Sequence, residues 1–301
     1  MTPSDWPAQA LPMPDGATLQ FWQPGRRSAP PLLHFAHATG FHAHTYAPLF
    51  ALLQDIPLAA WDMRGHGHSA AAADPQHFRG WARFARDLTE WLLQQPAPVW
   101  LVGHSVGATV STLVAARHPE KVRGLILLEP VFLSRRQGWL LRMGRLTRRQ
   151  VNTPLGAGAL RRRALFDSPE QALQAYTGRG AFKTWPAEWL EAYVQHGLVA
   201  TESGWTLRCT PDWEALCFDR VLASPWEAVR KLKVPVQVHL GELAQSTTNA
   251  DARRVLSALA PHAEVREWPG ASHFLPMEHT AEIAQIIRQA VLGEPERPKS
   301  A

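Results

Sequence analysis

Two short runs of the chain, Val99–Gly103 and Val122–Leu128, are apolar at almost every position. They are too short for buried helices and lack the polar alternation of a strand with one wet face. Runs of this kind are strands covered on both sides, as in parallel sheets whose crossover connections lay helices on either face. The stretches around them agree. Phe78, Trp81, Phe84, Leu88, Trp91 and Leu92 recur at spacings of three and four, which predicts an amphipathic helix over Phe78–Gln95, ended by Pro96 and Pro98. Ala17–Gln23, Pro31–Ala38 and Pro57–Asp62 are further strand candidates, with a helical stretch around Tyr46–Leu53. The rhythm returns late in the chain, with strands at Val234–Gly241 and Ala263–Trp268 and helices near Asn249–Leu259 and Thr280–Leu292. The expectation is an α/β fold: a mostly parallel central sheet with helices on both faces.

Val131–Pro225 interrupts that rhythm. It is rich in Arg and Trp and mostly helical in period, with no run that reads as a parallel strand. Residues 1–130 and 226–301 are therefore expected to form one core, with 131–225 a helical insertion. The same segment explains the charge. The 301 residues carry 31 Lys+Arg against 26 Asp+Glu, a net of +5. Nine arginines (135, 136, 142, 145, 148, 149, 161, 162 and 163) fall within Val131–Leu165, which holds no acid; without them 22 basic residues face 26 acidic ones. A nucleic-acid binder spreads its positive charge over a surface, so nucleic acid is not an expected partner. Trp139, Leu140, Met143 and Leu146 share one helical face, with Arg142, Arg145, Arg148 and Arg149 between them. That pattern fits a helix lying on an anionic membrane surface or meeting an acidic acyl carrier, and equally a helix packing inward with solvated arginines. Trp185, Trp189, Tyr193 and Trp205 read as core of the insertion or as an apolar acyl pocket.

Several classes drop out. No apolar run reaches the length that spans a bilayer, and the first residues lack the pattern of a secretory signal. Two cysteines, Cys209 and Cys217, make no disulfide framework and no zinc spacing. A soluble, cytoplasmic protein is expected. Neither a P-loop nor a dinucleotide fingerprint is present, so no cofactor is expected. His34, His37, His42, His44, His66 and His68 crowd two early loops but have no carboxylate or cysteine at ligand spacing, so they are read as loop hydrogen-bonders and not as a metal site.

The chemistry sits at Gly103-His104-Ser105-Val106-Gly107, a G-x-S-x-G pattern between an apolar strand and an Ala-containing helix. A serine on so tight a turn stands clear of the sheet, and the following helix turns its N–H groups toward it. A hydroxyl becomes a nucleophile when an imidazole takes its proton, and a carboxylate must then fix that imidazole. His273, on the loop Gly270-Ala271-Ser272-His273-Phe274 after the last strand, is the candidate base.

With His37-Ala38-Thr39-Gly40-Phe41 and Asp62-Met63-Arg64-Gly65-His66-Gly67-His68-Ser69, these four motifs in this order resemble the α/β-hydrolase superfamily, in its cap-bearing serine esterase and lipase branch. The resemblance covers nearly the whole chain. It implies a cap inserted after the sixth strand, where 131–225 lies, and an oxyanion hole from the backbone N–H groups of Thr39 and Val106. It also implies cleavage of a carboxylic ester or related acyl bond of a small molecule through an acyl-serine. Lactone or C–C bond hydrolysis on the same residues is the alternative, and a non-catalytic ligand-binding protein on this fold the third reading. The chain departs from the common pattern at the acid, whose usual place is taken by Ala244 in Gly241-Glu242-Leu243-Ala244. Glu129, closing the sixth strand, is favoured; Glu242 is the alternative, with Asp219 and Asp251 behind them. His37, Phe41, His104 and Phe274 are candidates for the substrate pocket.

Overall fold

The continuous apolar runs lie where both faces of a sheet are covered. The computed structural model describes residues 6–25, 29–146, 153–222, 224–243 and 248–293, apart from the side chains at 142, 144–146 and 259. Eight strands form the main sheet: β1 (Ala8–Pro12), β2 (Thr18–Trp22), β3 (Leu33–Ala36), β4 (Leu58–Trp61), β5 (Val99–His104), β6 (Val122–Leu128), β10 (Val236–Gly241) and β11 (Ala263–Trp268). Their spatial order is β1-β2-β4-β3-β5-β6-β10-β11. β1 and β2 pair antiparallel, as do β2 and β4, and every later pairing is parallel. Leu101, Leu125 and Leu127 enter the core on one face, against the helices Ala82–Leu93 and Val106–Arg117; Val102, Ile126 and Leu128 enter the other, against Ala47–Ala51 and Thr280–Leu292. Each of the six is wholly buried. Burial of one such side chain contributes about 1.5–3 kcal/mol, and truncating it to Ala would cost about 2–5 kcal/mol.

The segment between β6 and β10 holds the helices Arg135–Leu146, Pro154–Leu160, Pro169–Tyr176, Ala187–Gly197 and Pro211–Asp219. It also holds a small antiparallel sheet, whose strands the sequence does not announce. β7 (Leu165–Phe166) and β8 (Leu198–Thr201) flank β9 (Gly204–Leu207). Strands of two to four residues leave no usable periodicity. Trp185, Trp189 and Tyr193 are buried, Trp205 partly so, and the Trp189 indole donates to Thr280 Oγ1 (3.1 Å), tying the insertion to the last helix of the core. On Arg135–Leu146, Leu141 packs on the core while Trp139 (60% exposed) and Leu140 (54%) face outward. The side chains of Arg142, Arg145 and Leu146, with Arg148 and Arg149, lie outside the described residues. Among the described residues no helix is long and apolar enough to cross a membrane.

Candidate active site

β5 runs into the helix Val106–Arg117 through one residue, Ser105, at φ +57° and ψ −119°. No L-residue adopts that conformation without cost, and the surrounding backbone has to hold it. The two flanking glycines allow it. A Cβ on Gly103 would lie 2.4 Å from the carbonyl carbon of Gly107, and one on Gly107 would lie 2.1 Å from the Ala36 carbonyl oxygen. Backbone packs on backbone there, and the Ser105 hydroxyl is turned off the end of the sheet.

His273 meets that hydroxyl, its Nε2 lying 3.0 Å from Ser105 Oγ. On the other side of the ring, Nδ1 lies 3.2 Å from Glu129 Oε2. Glu129 follows β6 directly, is wholly buried, and is held by the neighbouring strand: its N–H donates to the His239 carbonyl (2.9 Å) and its Oε1 accepts from Gly241 N–H. These partners assign the tautomer. A carboxylate only accepts, so Nδ1 carries the proton and Nε2 offers its lone pair to the serine. Two charge-assisted hydrogen bonds offset the desolvation of the buried carboxylate.

The other acidic candidates are engaged elsewhere. Glu242 is exposed and its Oε2 accepts from Gly270 N–H (2.9 Å), bracing the turn that leads to His273. Asp219 accepts from the backbone and hydroxyl of Thr153 in the insertion, and Asp251 pairs with Arg254. Ala244 lies outside the described residues.

Thr39 follows β3 and Val106 opens the helix after the elbow. Among the described residues neither backbone N–H is taken up by a protein acceptor. His37, read from the sequence as a pocket residue, is wholly buried: its Nε2 accepts from Met63 N–H and its Nδ1 donates to the Ala38 carbonyl, both at 2.8 Å. It shapes the loop from behind and presents nothing to a ligand, and burial pushes its pKa down to about 3. His104 is wholly buried as well, with both ring nitrogens bonded. Phe41 and Phe274 do stand together with residues of the insertion: Trp185 lies 5.1 Å from Phe41 and 5.7 Å from Phe274, ring to ring, and Tyr193 lies 5.8 Å from Phe41. Ser105 itself is only 7% exposed.

The segment between β6 and β10 also reaches the loop after β3, a contact that sequence reasoning missed. Gly40 has φ +80°, and a Cβ on it would lie 2.3 Å from Glu214 Oε1. Glu214 is ion-paired with Arg162 (2.5 Å), whose Nη2 donates to the Tyr193 hydroxyl (2.7 Å). In the sequence Arg162 is only one positive charge among the nine of 131–165. Among the described residues no three His, Cys, Asp or Glu side chains come together as metal ligands.

Comparison with known proteins fits this geometry. The family model described as serine aminopeptidase, S33, matches residues 28–280. The monoglyceride lipase of Rattus norvegicus is 34% identical over 146 residues, covering 44% of this chain and 47% of the lipase. The chain thus spans about half the length of the first such relatives it matches. The 2-(acetamidomethylene)succinate hydrolase of Mesorhizobium japonicum is 25% identical over 248 residues, 81% of this chain and 82% of that one. Among solved structures, E-2-(acetamidomethylene)succinate hydrolase superposes with a TM-score of 0.77 at 24% identity, covering 95% of this chain and 99% of that one. The thioesterase domain from the curacin biosynthetic pathway gives 0.74 at 18% identity, covering 94% and 98%. Both likenesses are of fold. With a family model running along most of its length, over a sheet of this order and pairing, the chain belongs to the serine aminopeptidase S33 family of α/β-hydrolases.

Proposed function

We propose that this chain is a serine hydrolase that cleaves a carboxylic ester or related acyl bond of a small molecule through an acyl-serine intermediate. One observation carries the reading: the unbroken line from Glu129 through His273 to the Ser105 hydroxyl, beside two uncommitted backbone N–H groups. His273 Nε2 takes the hydroxyl proton as Oγ attacks the acyl carbon. The carbonyl oxygen becomes an oxyanion held by the N–H groups of Thr39 and Val106; loss of one such donor typically costs about 2.7–4 kcal/mol. Glu129 stabilises the imidazolium while it lasts. His273 then gives its proton to the leaving alkoxide, and water, activated by the same ring, releases the acid and restores the serine.

In this reading residues 131–225 form a lid over a core made of 1–130 and 226–301, and Phe41, Phe274, Trp185 and Tyr193 supply the apolar wall for the acyl group. The outward Trp139 and Leu140, on a helix begun by Arg135 and Arg136, support contact of the lid with an anionic surface. The decisive test of the chemistry is covalent labelling by a fluorophosphonate, followed by a panel of p-nitrophenyl esters of increasing acyl length. The expected result is stoichiometric labelling, abolished in Ser105→Ala with the melting temperature little changed. Labelling that persists in Ser105→Ala, or no labelling of the wild-type chain, overturns the assignment.

A further inference from the structure

Behind the proposed site runs a second line of hydrogen bonds that the reaction does not use. The N–H of Ala38, just before Thr39, donates to the Tyr46 hydroxyl oxygen (3.1 Å). That hydroxyl lies 2.7 Å from His104 Nδ1, and His104 Nε2 lies 2.8 Å from the main-chain carbonyl of His273. Tyr46 and His104 are both wholly buried.

The proton positions follow from the acceptors. The His273 carbonyl only accepts, so His104 Nε2 must carry the proton; Nδ1 is then an acceptor, and the phenol must donate to it. The opposite tautomer would set a lone pair against the carbonyl and leave the phenol proton without its partner. It would forfeit the bond to the carbonyl and leave a buried phenol proton unsatisfied. Each of the three protons has one place, so the line has a single low-energy arrangement. Burial also keeps its members uncharged, pushing the His104 pKa well below the usual imidazole range and raising that of the Tyr46 phenol.

We propose that Tyr46 and His104 are positioning residues, a neutral clamp holding the oxyanion loop and the main chain of the catalytic base in one register. The two ends of the clamp serve the same tetrahedral intermediate: one fixes the loop that offers Thr39 N–H, the other the residue whose ring spans Ser105 and Glu129. A side chain displaced by about 1 Å from reacting geometry loses on the order of 10²-fold in rate. A rigid, uncharged link between the two groups guards against that shift without adding a proton that could leak into the triad. The inference rests on the serine-hydrolase reading for its catalytic consequence, but not for its hydrogen-bond pattern.

The test uses the full chain with p-nitrophenyl acetate and three variants. His104→Leu removes both bonds. His104→Gln sets an amide nitrogen where imidazole Nε2 stood and keeps the donor to His273. Tyr46→Phe removes the phenol alone. We expect His104→Leu to lower kcat by about 10²-fold with KM within about threefold. His104→Gln should regain most of kcat, and Tyr46→Phe should fall between. A folded His104→Leu with wild-type kcat overturns the proposal, as does a His104→Gln no better than His104→Leu. Nitrogen-15 NMR of the histidine rings gives a readout apart from activity. The expected His104 is protonated at Nε2 and does not titrate between pH 5 and 8. An Nδ1-protonated or titrating His104 refutes the clamp even if the chain proves an active hydrolase. Absence of any ester hydrolysis or labelling in the wild type, beside the expected NMR pattern, would instead refute the hydrolase reading and the clamp's role in positioning a base.

Discussion

Replacing Glu129 by Gln changes one atom, and the surrounding donors decide what that atom does. Gly241 N–H points at Oε1, so the amide oxygen of Gln must remain on that side, since an NH₂ there would oppose donor to donor. The NH₂ then faces His273 Nδ1, where Oε2 lies 3.2 Å away in the wild type. Nδ1 must become an acceptor, which drives the ring proton to Nε2, 3.0 Å from Ser105 Oγ. The base now carries a proton where it must receive one, and the imidazolium has lost its counter-charge. A wrong-tautomer substitution of this kind lowers kcat by about 10³–10⁴, roughly 4–5.5 kcal/mol of transition-state stabilisation, with KM changed far less. Gln fits the Glu129 backbone as well as Glu does, so the melting temperature is a control. Glu242→Gln keeps an oxygen for Gly270 N–H and should cost about tenfold or less, since it only braces the loop that carries the base. Steady-state kinetics of both variants on one activated ester decide the matter. A Glu129→Gln within tenfold of wild type, or a Glu242→Gln equally impaired, would refute the reasoning.

Two other consequences are open to direct measurement. Burial pushes His34, His37 and His42 from 6.5 to about 3, and His66 to about 4. Their folded pKa values are depressed, so the unfolded chain binds more protons between pH 6.5 and about 4; the stability these groups contribute should be flat above pH 7 and fall as the pH drops below 6.5. Urea unfolding midpoints that stay constant from pH 7 to 5 would contradict this. On the insertion, Arg135→Glu with Arg136→Glu should weaken sedimentation with phosphatidylserine vesicles and leave hydrolysis of a neutral short ester within a few-fold; equal sedimentation of variant and wild type would remove the anionic-surface reading, and collapse of the ester rate would make the helix part of the pocket.

Much of the core is legible in the sequence because burial on both faces of a sheet constrains a strand without reference to its partners. β5 and β6 announce themselves in this way, and the final helix Thr280–Leu292 matches its expected span. The edge does not. β1 buries only Leu11 of its five residues and ends in Pro12, so it has neither an apolar run nor a clean alternation to betray it. The helix expected from Phe78 begins only at Ala82, because Gly80 at φ +121° breaks the backbone there. Phe78 and Trp81 are buried all the same, as loop residues that happen to continue the period.

At the site the same division holds. Ser105 and His273 lie in short motifs whose meaning is local, and Glu129 could be picked out because it closes an apolar strand while Ala244 vacates the commoner place. Glu214, Arg162 and Tyr46 could not be found this way, since their partners lie far off in sequence and no local pattern marks them. One feature visible only in three dimensions bears on the acid. Among the described residues Ser105 and Glu129 alone are non-glycine residues at positive φ, +57° and +49°. The left-handed region costs an ordinary L-residue about 1–2 kcal/mol, and glycine or asparagine would occupy it more cheaply. Selection for stability alone would not retain a glutamate there, wholly buried and desolvated as well. Both strained positions close adjacent parallel strands, β5 and β6, and both aim their side chains at one imidazole. Strain persists where the surrounding structure over-determines it and function uses it. A carboxylate in a glycine's conformation, pointing at the ring that meets the serine, is better explained by chemistry than by folding.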